Sequence, residues 1–476
     1  MTLAAKPSAV RVLADAWTAK RRGERAMSER QRARLAALVA HTRTRSPYYR
    51  RLYQEQGVPA EVGDLAALPI TGKSALMDAF DDWVTDPAVL LDEARAFADD
   101  PEMIGRPFAD RYTLTTTSGT TGTHGIFLQD ARAAAVTGAM MARMLTGWLT
   151  VRDAARIAAR GGRMALVVPE GGHFASTVAA ARLRGRSRVA ALSVHQPLEE
   201  LVEALNAFRP AVLAPYASVG ALLATAAEAG RLRIDPALVI LTAEGLPVPE
   251  YERISRALGG AKVRTSWAAN ECPFLSYGCT AGWLHVNADW AVVEPVDEHY
   301  RPVPPGEPSH TVLLTNLANH LQPILRYDLG DAVVVRPDPC PCGNPGPALR
   351  VQGRAADLLT FPGPNGAPVT LAPLPLATLL EAVPGLELFQ IVQTNPTTLR
   401  LRLLPAPGTD HEALWRTTQT RLSELLARHR LGHVRVERAA EPPQYGTGGK
   451  IRAVIPIAGP ATKAGMVGPE GTCPPV

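Results

Sequence analysis

"TLTTTSGTTGTHGIFLQD", residues 113–130, sets hydroxyls and glycines between two apolar runs and contains no lysine. Glycine lets a backbone approach a ligand and take up positive φ, while exposed N–H groups and hydroxyls in such a loop form a concave anion site. The stretch therefore reads as a polyphosphate cradle. It is not a Walker A loop, because Gly119 and Gly122 lack the Gly-Lys-Ser/Thr ending that reaches the β- and γ-phosphates. Taken alone it also admits the plainer reading of a polar hairpin loop.

The surrounding chain supplies strands that alternate with helices. "RMALVVPEGG" (163–172) reads as a buried strand ending in a turn, "PAVLAPYASVGALLATAAEAGRL" (210–232) as strand, turn and helix, and "PALVILTAEGLPVPEYERISRALGGAKVRTSWA" (236–268) as strand, loop, helix and strand. This pattern implies βαβ units in an α/β fold with doubly wound, largely parallel sheets, and it places ligands beyond the carboxyl ends of the strands. From about Trp283 the texture turns β-rich, which fits a small barrel-like subdomain at about 283–353. "LELFQIVQ", "TLRLRLLP", a helix near 411–429 and "HVRVERAA" then form a compact α+β unit. The expected division is a large N-terminal body, 1–353, and a small mobile C-terminal domain, 354–476.

Hydrophobic content of 46% with 20% charge is that of a globular protein. No stretch is long and apolar enough to span a bilayer, and the N-terminus lacks the apolar core of a signal peptide, so a cytoplasmic protein without membrane partners is expected. The net charge of +5 sits largely near residues 20–51, where Glu24 and Glu29 interleave with arginines and Leu35, Leu38 and Val39 recur at helical spacing. That is an amphipathic helix with a solvated basic face rather than a nucleic-acid surface.

Five motifs occur in order: "TSGTTG" (117–122), "WAANE" (267–271), "RYDLGD" (326–331), "GRAAD" (353–357) and "GTGGK" (446–450). Together they resemble the adenylate-forming superfamily of acyl-CoA ligases, in particular phenylacetate-CoA ligases and the related deazaflavin-adenylylating (coenzyme F) synthetases, over nearly the whole chain. The resemblance implies that Thr117, Ser118, Gly119, Thr120, Thr121 and Gly122 hold the β- and γ-phosphates of ATP. It implies that Trp267 and Asn270 flank the nucleotide, that Glu271 holds Mg²⁺, and that Ala243, Glu244 and Gly245 line the adenine. Asp331 would accept from the ribose hydroxyls with Arg354 nearby, Asp357 would be the hinge, and Lys450 would neutralise charge as a carboxylate attacks the α-phosphate. His173, Phe174, Tyr216, Ala268 and Ala269 are candidate walls for a small aromatic or hydroxy acid. CoA would then accept the acyl group, and members of such families are often homodimers.

Four of the five cysteines, Cys272, Cys279, Cys340 and Cys342, cluster with His285. In a reducing compartment such a cluster argues for metal before disulfide. Cys279, His285, Cys340 and Cys342 give a closed Cys₃His set suited to structural Zn²⁺, with Cys272 as an alternative to Cys279. Some relatives share this "C…GxH…CxCG" pattern.

The sequence also departs from the family pattern. The phosphate loop ends "GTHG" rather than in Pro and Lys, Asn270 stands where Thr is usual, and residues after Asp357 lack the basic residue and glycine expected beside a pantetheine tunnel. The last point keeps open an adenylating enzyme with another acceptor: an amide synthetase, a nitrite-activating diazotase or a cofactor-adenylylating enzyme. A non-catalytic nucleotide-binding scaffold is the third possibility.

Overall fold

The computed structural model describes residues 9–117, 125–242, 246, 248–351, 359–364, 367–371, 373–444 and 453–457. After three helices, Ala9–Arg22, Glu24–Arg45 and Pro47–Glu55, the antiparallel pair β1 (Thr113–Thr116) and β2 (Ile126–Gln129) leads into the helix Ala131–Trp148. The basic segment is broken where the sequence implied one helix: Gly23 takes φ 82° between the first two helices. Leu35, Leu38 and Val39 are buried and most of the arginines remain exposed.

β3 (Met164–Val168), β4 (Val189–Ser193), β5 (Val212–Ala214), β6 (Leu238–Leu241) and β7 (Lys262–Thr265) form one parallel sheet in the order β4-β3-β5-β6-β7. This is a doubly wound order, reversing direction between β3 and β5. Side chains alternate along a strand, so each strand feeds two cores. Leu213, Val239 and Leu241 pack with residues of the helices Leu198–Phe208, Ala217–Glu228 and Val248–Ala257. Ala214, Leu238 and Ile240 pack instead with Met144 and Trp148 of the helix Ala131–Trp148. Near-continuous apolar strands such as "LVIL" follow from burial on both faces.

Two antiparallel sheets come next. β8 (Ser276–Gly278) and β9 (Leu284–Val286) open one; β10 (Ala291–Val296), β11 (Thr311–Asn316) and β12 (Ile324–Asp328) form the other. β13 (Val333–Val335) and β14 (Ala348–Val351) return to the first, giving the order β13-β14-β9-β8. The β-rich texture thus starts at Ser276, ahead of Trp283, because β8 is only three residues long and carries no alternating pattern to read.

β15 (Leu359–Pro362) and β16 (Pro368–Leu371) pair, and β17 (Leu386–Asn395), β18 (Thr398–Pro405), β19 (Arg435–Arg438) and β20 (Val454–Ile455) form a sheet ordered β19-β18-β17-β20. With the helices Pro373–Glu381 and His411–Arg428 they enclose an apolar core drawn from residues 359–454. Among the described residues no helix is long and apolar enough to cross a membrane.

Candidate active site

Past the β1–β2 pairing, Thr117 N donates to Gly125 O and Gly125 N donates to Thr117 Oγ1, each at 2.9 Å. A Cβ on Gly125 would lie 2.6 Å from the Phe127 ring and 3.0 Å from Thr117 Oγ1, so a glycine is needed to close the loop. Gln322 grips the hairpin by donating to Ile126 O and accepting from Leu128 N, and Thr116 N donates to His173 O at 2.8 Å. Ser118, Gly119, Thr120, Thr121 and Gly122 lie outside the described residues, as do Ala243, Glu244, Gly245, Arg354, Asp357 and Lys450.

The "WAANE" turn brings its residues against this hairpin. Asn270 Nδ2 donates to Thr116 O at 3.3 Å, while its Oδ1 is buried and finds no hydrogen-bond partner among the described residues. Glu271 is 6% exposed and accepts from Tyr327 Oη at 2.8 Å; its backbone carbonyl accepts from Asn316. Burial raises the Glu271 carboxyl above its ordinary range, partly offset by Tyr327 and by the Lys73 ammonium. Burial in turn lowers Lys73, and the Glu271 charge opposes that shift. Lys73 was missed as a site residue because "TGKS" reads simply as a helix start. It is delivered because Thr71 lies alongside Tyr327, donating to Arg326 O and accepting from Asp328 N. Tyr327, inside "RYDLGD", was visible in the sequence without a role.

Trp267 and Asp331 meet directly: Trp267 Nε1 donates to Asp331 Oδ2 at 3.1 Å. Asp328 shapes the loop before Asp331 by accepting from Thr311 Oγ1 and Gly330 N. Ala268 is exposed and Ala269 pairs with Cys272 in a tight turn. Tyr216 stands at the end of β5, beside the sheet's reversal point, with its hydroxyl 2.9 Å from Ser176 Oγ. Phe174 is half-buried just before the helix Ala175–Leu183. His173 is 1% exposed, its ring against Phe97 and its Nδ1 3.1 Å from Ala98 O, so the side chain is packed on the helix Leu91–Asp99.

The segments on either side of residues 445–452 are both held on β17. Gln390 accepts from Gln444 N and donates to Gln444 O, each at 3.3 Å, and Arg402 bonds Gln390, Gln444 and Glu441 together. Next along, Ile391 N donates to Ala453 O at 2.8 Å.

Cys279, His285, Cys340 and Cys342 offer ligand atoms that all lie within 4.8 Å of one another. Cys279 Sγ is 3.7 Å from Cys340 Sγ, and Cys342 Sγ is 3.2 Å from His285 Nε2. His285 Nδ1 sits 2.9 Å from Gly346 O, the carbonyl contact that fixes a tautomer and leaves Nε2 to face the thiols. Three thiols and one imidazole suit tetrahedral Zn²⁺. Cys272 is fully buried in the main apolar cluster, where burial pushes its thiol far up, and it is not in the ligand group.

The fold resembles that of acyl-CoA ligases of solved structure. A solved structure of 2-hydroxyisobutyryl-CoA ligase with 2-HIB-AMP and CoA in the thioesterification state superposes with a TM-score of 0.56 at 22% identity, covering 90% of this chain and 88% of that one. Its open conformation gives 0.53 over 89% and 90%. In sequence the chain is 27% identical over 392 residues to the phenylacetate-coenzyme A ligase of Thermus thermophilus, covering 78% of each. No protein-family model matches the chain. The resemblance drawn from the five motifs is borne out.

Proposed function

We propose that the protein is an AMP-forming acid–thiol ligase acting on a small aromatic or hydroxy acid. The observation that carries this reading is the buried Glu271 carboxylate, flanked by Lys73 and Tyr327 and set against the hairpin that ends in Thr117 and Gly125. The acyl-CoA ligase names of the relatives support it.

In the first step a carboxylate oxygen attacks the α-phosphorus of ATP, and the bond to the leaving pyrophosphate breaks. Two anions must approach, so the protein's main contribution is positive charge and in-line positioning. Lys73 and Lys450 supply the charge, Asn270 Oδ1 is left as an acceptor for the nucleotide, and Asp331 with Trp267 orients it. Glu271 is the hard oxygen donor that would hold Mg²⁺, whose chemistry is to screen the phosphates. In the second step the thiol sulfur of CoA attacks the acyl carbon, AMP leaves, and the thiol proton passes to solvent. Asp357 is the proposed hinge between the two steps. The Tyr216–Ser176 hydroxyl pair and the Phe174 ring would line the acid pocket, which favours a substrate carrying both a ring or short apolar body and a polar substituent. The Cys₃His cluster would hold Zn²⁺ as a structural clamp on β8, β9 and the "CPCG" turn.

Pyrophosphate release from ATP, measured over a panel of aromatic, hydroxy and short aliphatic acids with and without CoA, tests the reading. Release that needs one class of acid, and that turns over repeatedly only with CoA, is expected; Lys450→Ala should abolish it yet leave thioester formation from a supplied acyl-adenylate. Sustained turnover without CoA would show another acceptor, and no release with any acid would overturn the assignment.

A further inference from the structure

His195 follows β4 in "SVHQP", and its ring reaches out of the large body: Nε2 lies 3.0 Å from Thr378 Oγ1 on the helix Pro373–Glu381. His195 is 3% exposed. His429, at the end of the helix His411–Arg428, answers from the other side, with Nε2 3.3 Å from the His195 carbonyl. At the rim Arg430 pairs with Glu199 at 2.7 Å, both side chains more than half exposed. The two helices commit their apolar residues, among them Leu376, Leu380, Leu422 and Leu425, to the C-terminal core. The contact with residues 195–199 is thus polar, and two imidazoles lie at its centre.

Charge around the pair is uneven. Glu170, in the loop after β3, attracts a proton to His195, whereas Arg428 repels one from both rings, and His195 repels one from His429. Thr378, on the facing helix, is uncharged. Burial is the largest influence on both, and both rings are held below the ordinary histidine range.

We propose that His195 and His429 form a proton-operated latch: the neutral rings hold the C-terminal unit on the large body, and protonation releases it. The sign follows from linkage. In the docked state the rings resist protonation and in the released state they titrate normally, so the docked state binds fewer protons. Docking is fully favoured above the ordinary value of about 6.5 and weakens as pH falls toward the depressed values. Neither Arg428 nor burial allows a second cation to settle in the contact, and the exposed Arg430–Glu199 pair is too well solvated to hold it alone. The latch rests on geometry and does not require the reaction proposed above.

Small-angle scattering of the whole chain between about pH 8 and about pH 5.5 tests it. The radius of gyration is expected to rise reversibly on acidification while far-UV circular dichroism stays constant, which separates release from unfolding. The double variant His195→Gln/His429→Gln keeps a donor at each contact and loses the titration, so its dimensions should stay compact throughout. Thr378→Val, a gentler change, should move the wild-type transition to higher pH. An unchanged radius in the wild type, or a double variant that follows the wild type, overturns the latch.

Discussion

Glu271 and His320 are both largely removed from water, and burial acts on them in opposite senses. For Glu271 it favours the neutral acid, against which Tyr327 and Lys73 work. Glu271→Gln keeps an acceptor for Tyr327 and removes the charge, so pyrophosphate release should fall by about 100-fold or more with the melting temperature nearly unchanged. For His320, burial together with Arg132 and His41 drives the pKa down to about 3 from 6.5, and Nε2 has no hydrogen-bond partner among the described residues. The folded chain therefore binds fewer protons at this ring than the unfolded chain between those values. Stability from this site is complete above about pH 6.5 and is lost progressively as pH falls to about 3. His320→Phe retains a ring against His41 and should lower the acid-unfolding midpoint by about half a pH unit. At this scale Glu271 and Trp267 could be named as candidates from the sequence because they stand in ordered motifs. Lys73 was not, since only the Thr71–Tyr327 pairing brings it to Glu271, and such long-range register leaves no local pattern.

Among the elements, the β1–β2 hairpin and the β8–β9 arm carry the strongest constraints. Gly125→Ala forces the Phe127 ring or Thr117 to shift, and the loop closure with it. A displacement of about 1 Å at the proposed phosphate-binding loop should cost about 100-fold in pyrophosphate release while thermal stability changes little. The Cys/His cluster brings β9 and the turn before β14 together through His285, Cys340 and Cys342, and a bound zinc would tie them. About one zinc per chain is expected by elemental analysis, and chelation or Cys342→Ser should lower the melting temperature by several degrees. Zinc-free protein with an unchanged melting curve would remove this role. The Cys₃His set was readable from spacing alone, whereas choosing Cys279 over Cys272 needed the three-dimensional placement: one lies beside His285, the other deep in the apolar core.

Across the whole molecule, the C-terminal unit meets the large body through a polar contact at His195 and Glu199. The alternation of strands and helices announced a parallel sheet, but the order β4-β3-β5-β6-β7 depends on crossovers that no local pattern encodes. Gln390, 2% exposed, likewise reads as an ordinary strand residue, although its side chain pairs with the Gln444 backbone as a neighbouring strand would. Gln390→Leu should weaken pyrophosphate release about 10-fold or more while sparing thioester formation from supplied acyl-adenylate, provided Lys450 serves the first step. Equal loss in both half-reactions would instead indicate a general packing defect. The C-terminal core draws on residues 359–454 alone. Its independence has a consequence for the gene: cut between the two units and expressed as two polypeptides, the protein should still form both pieces. Activity would then depend on their concentration, because a tether that supplies roughly millimolar effective concentration would have been replaced by an ordinary bimolecular encounter.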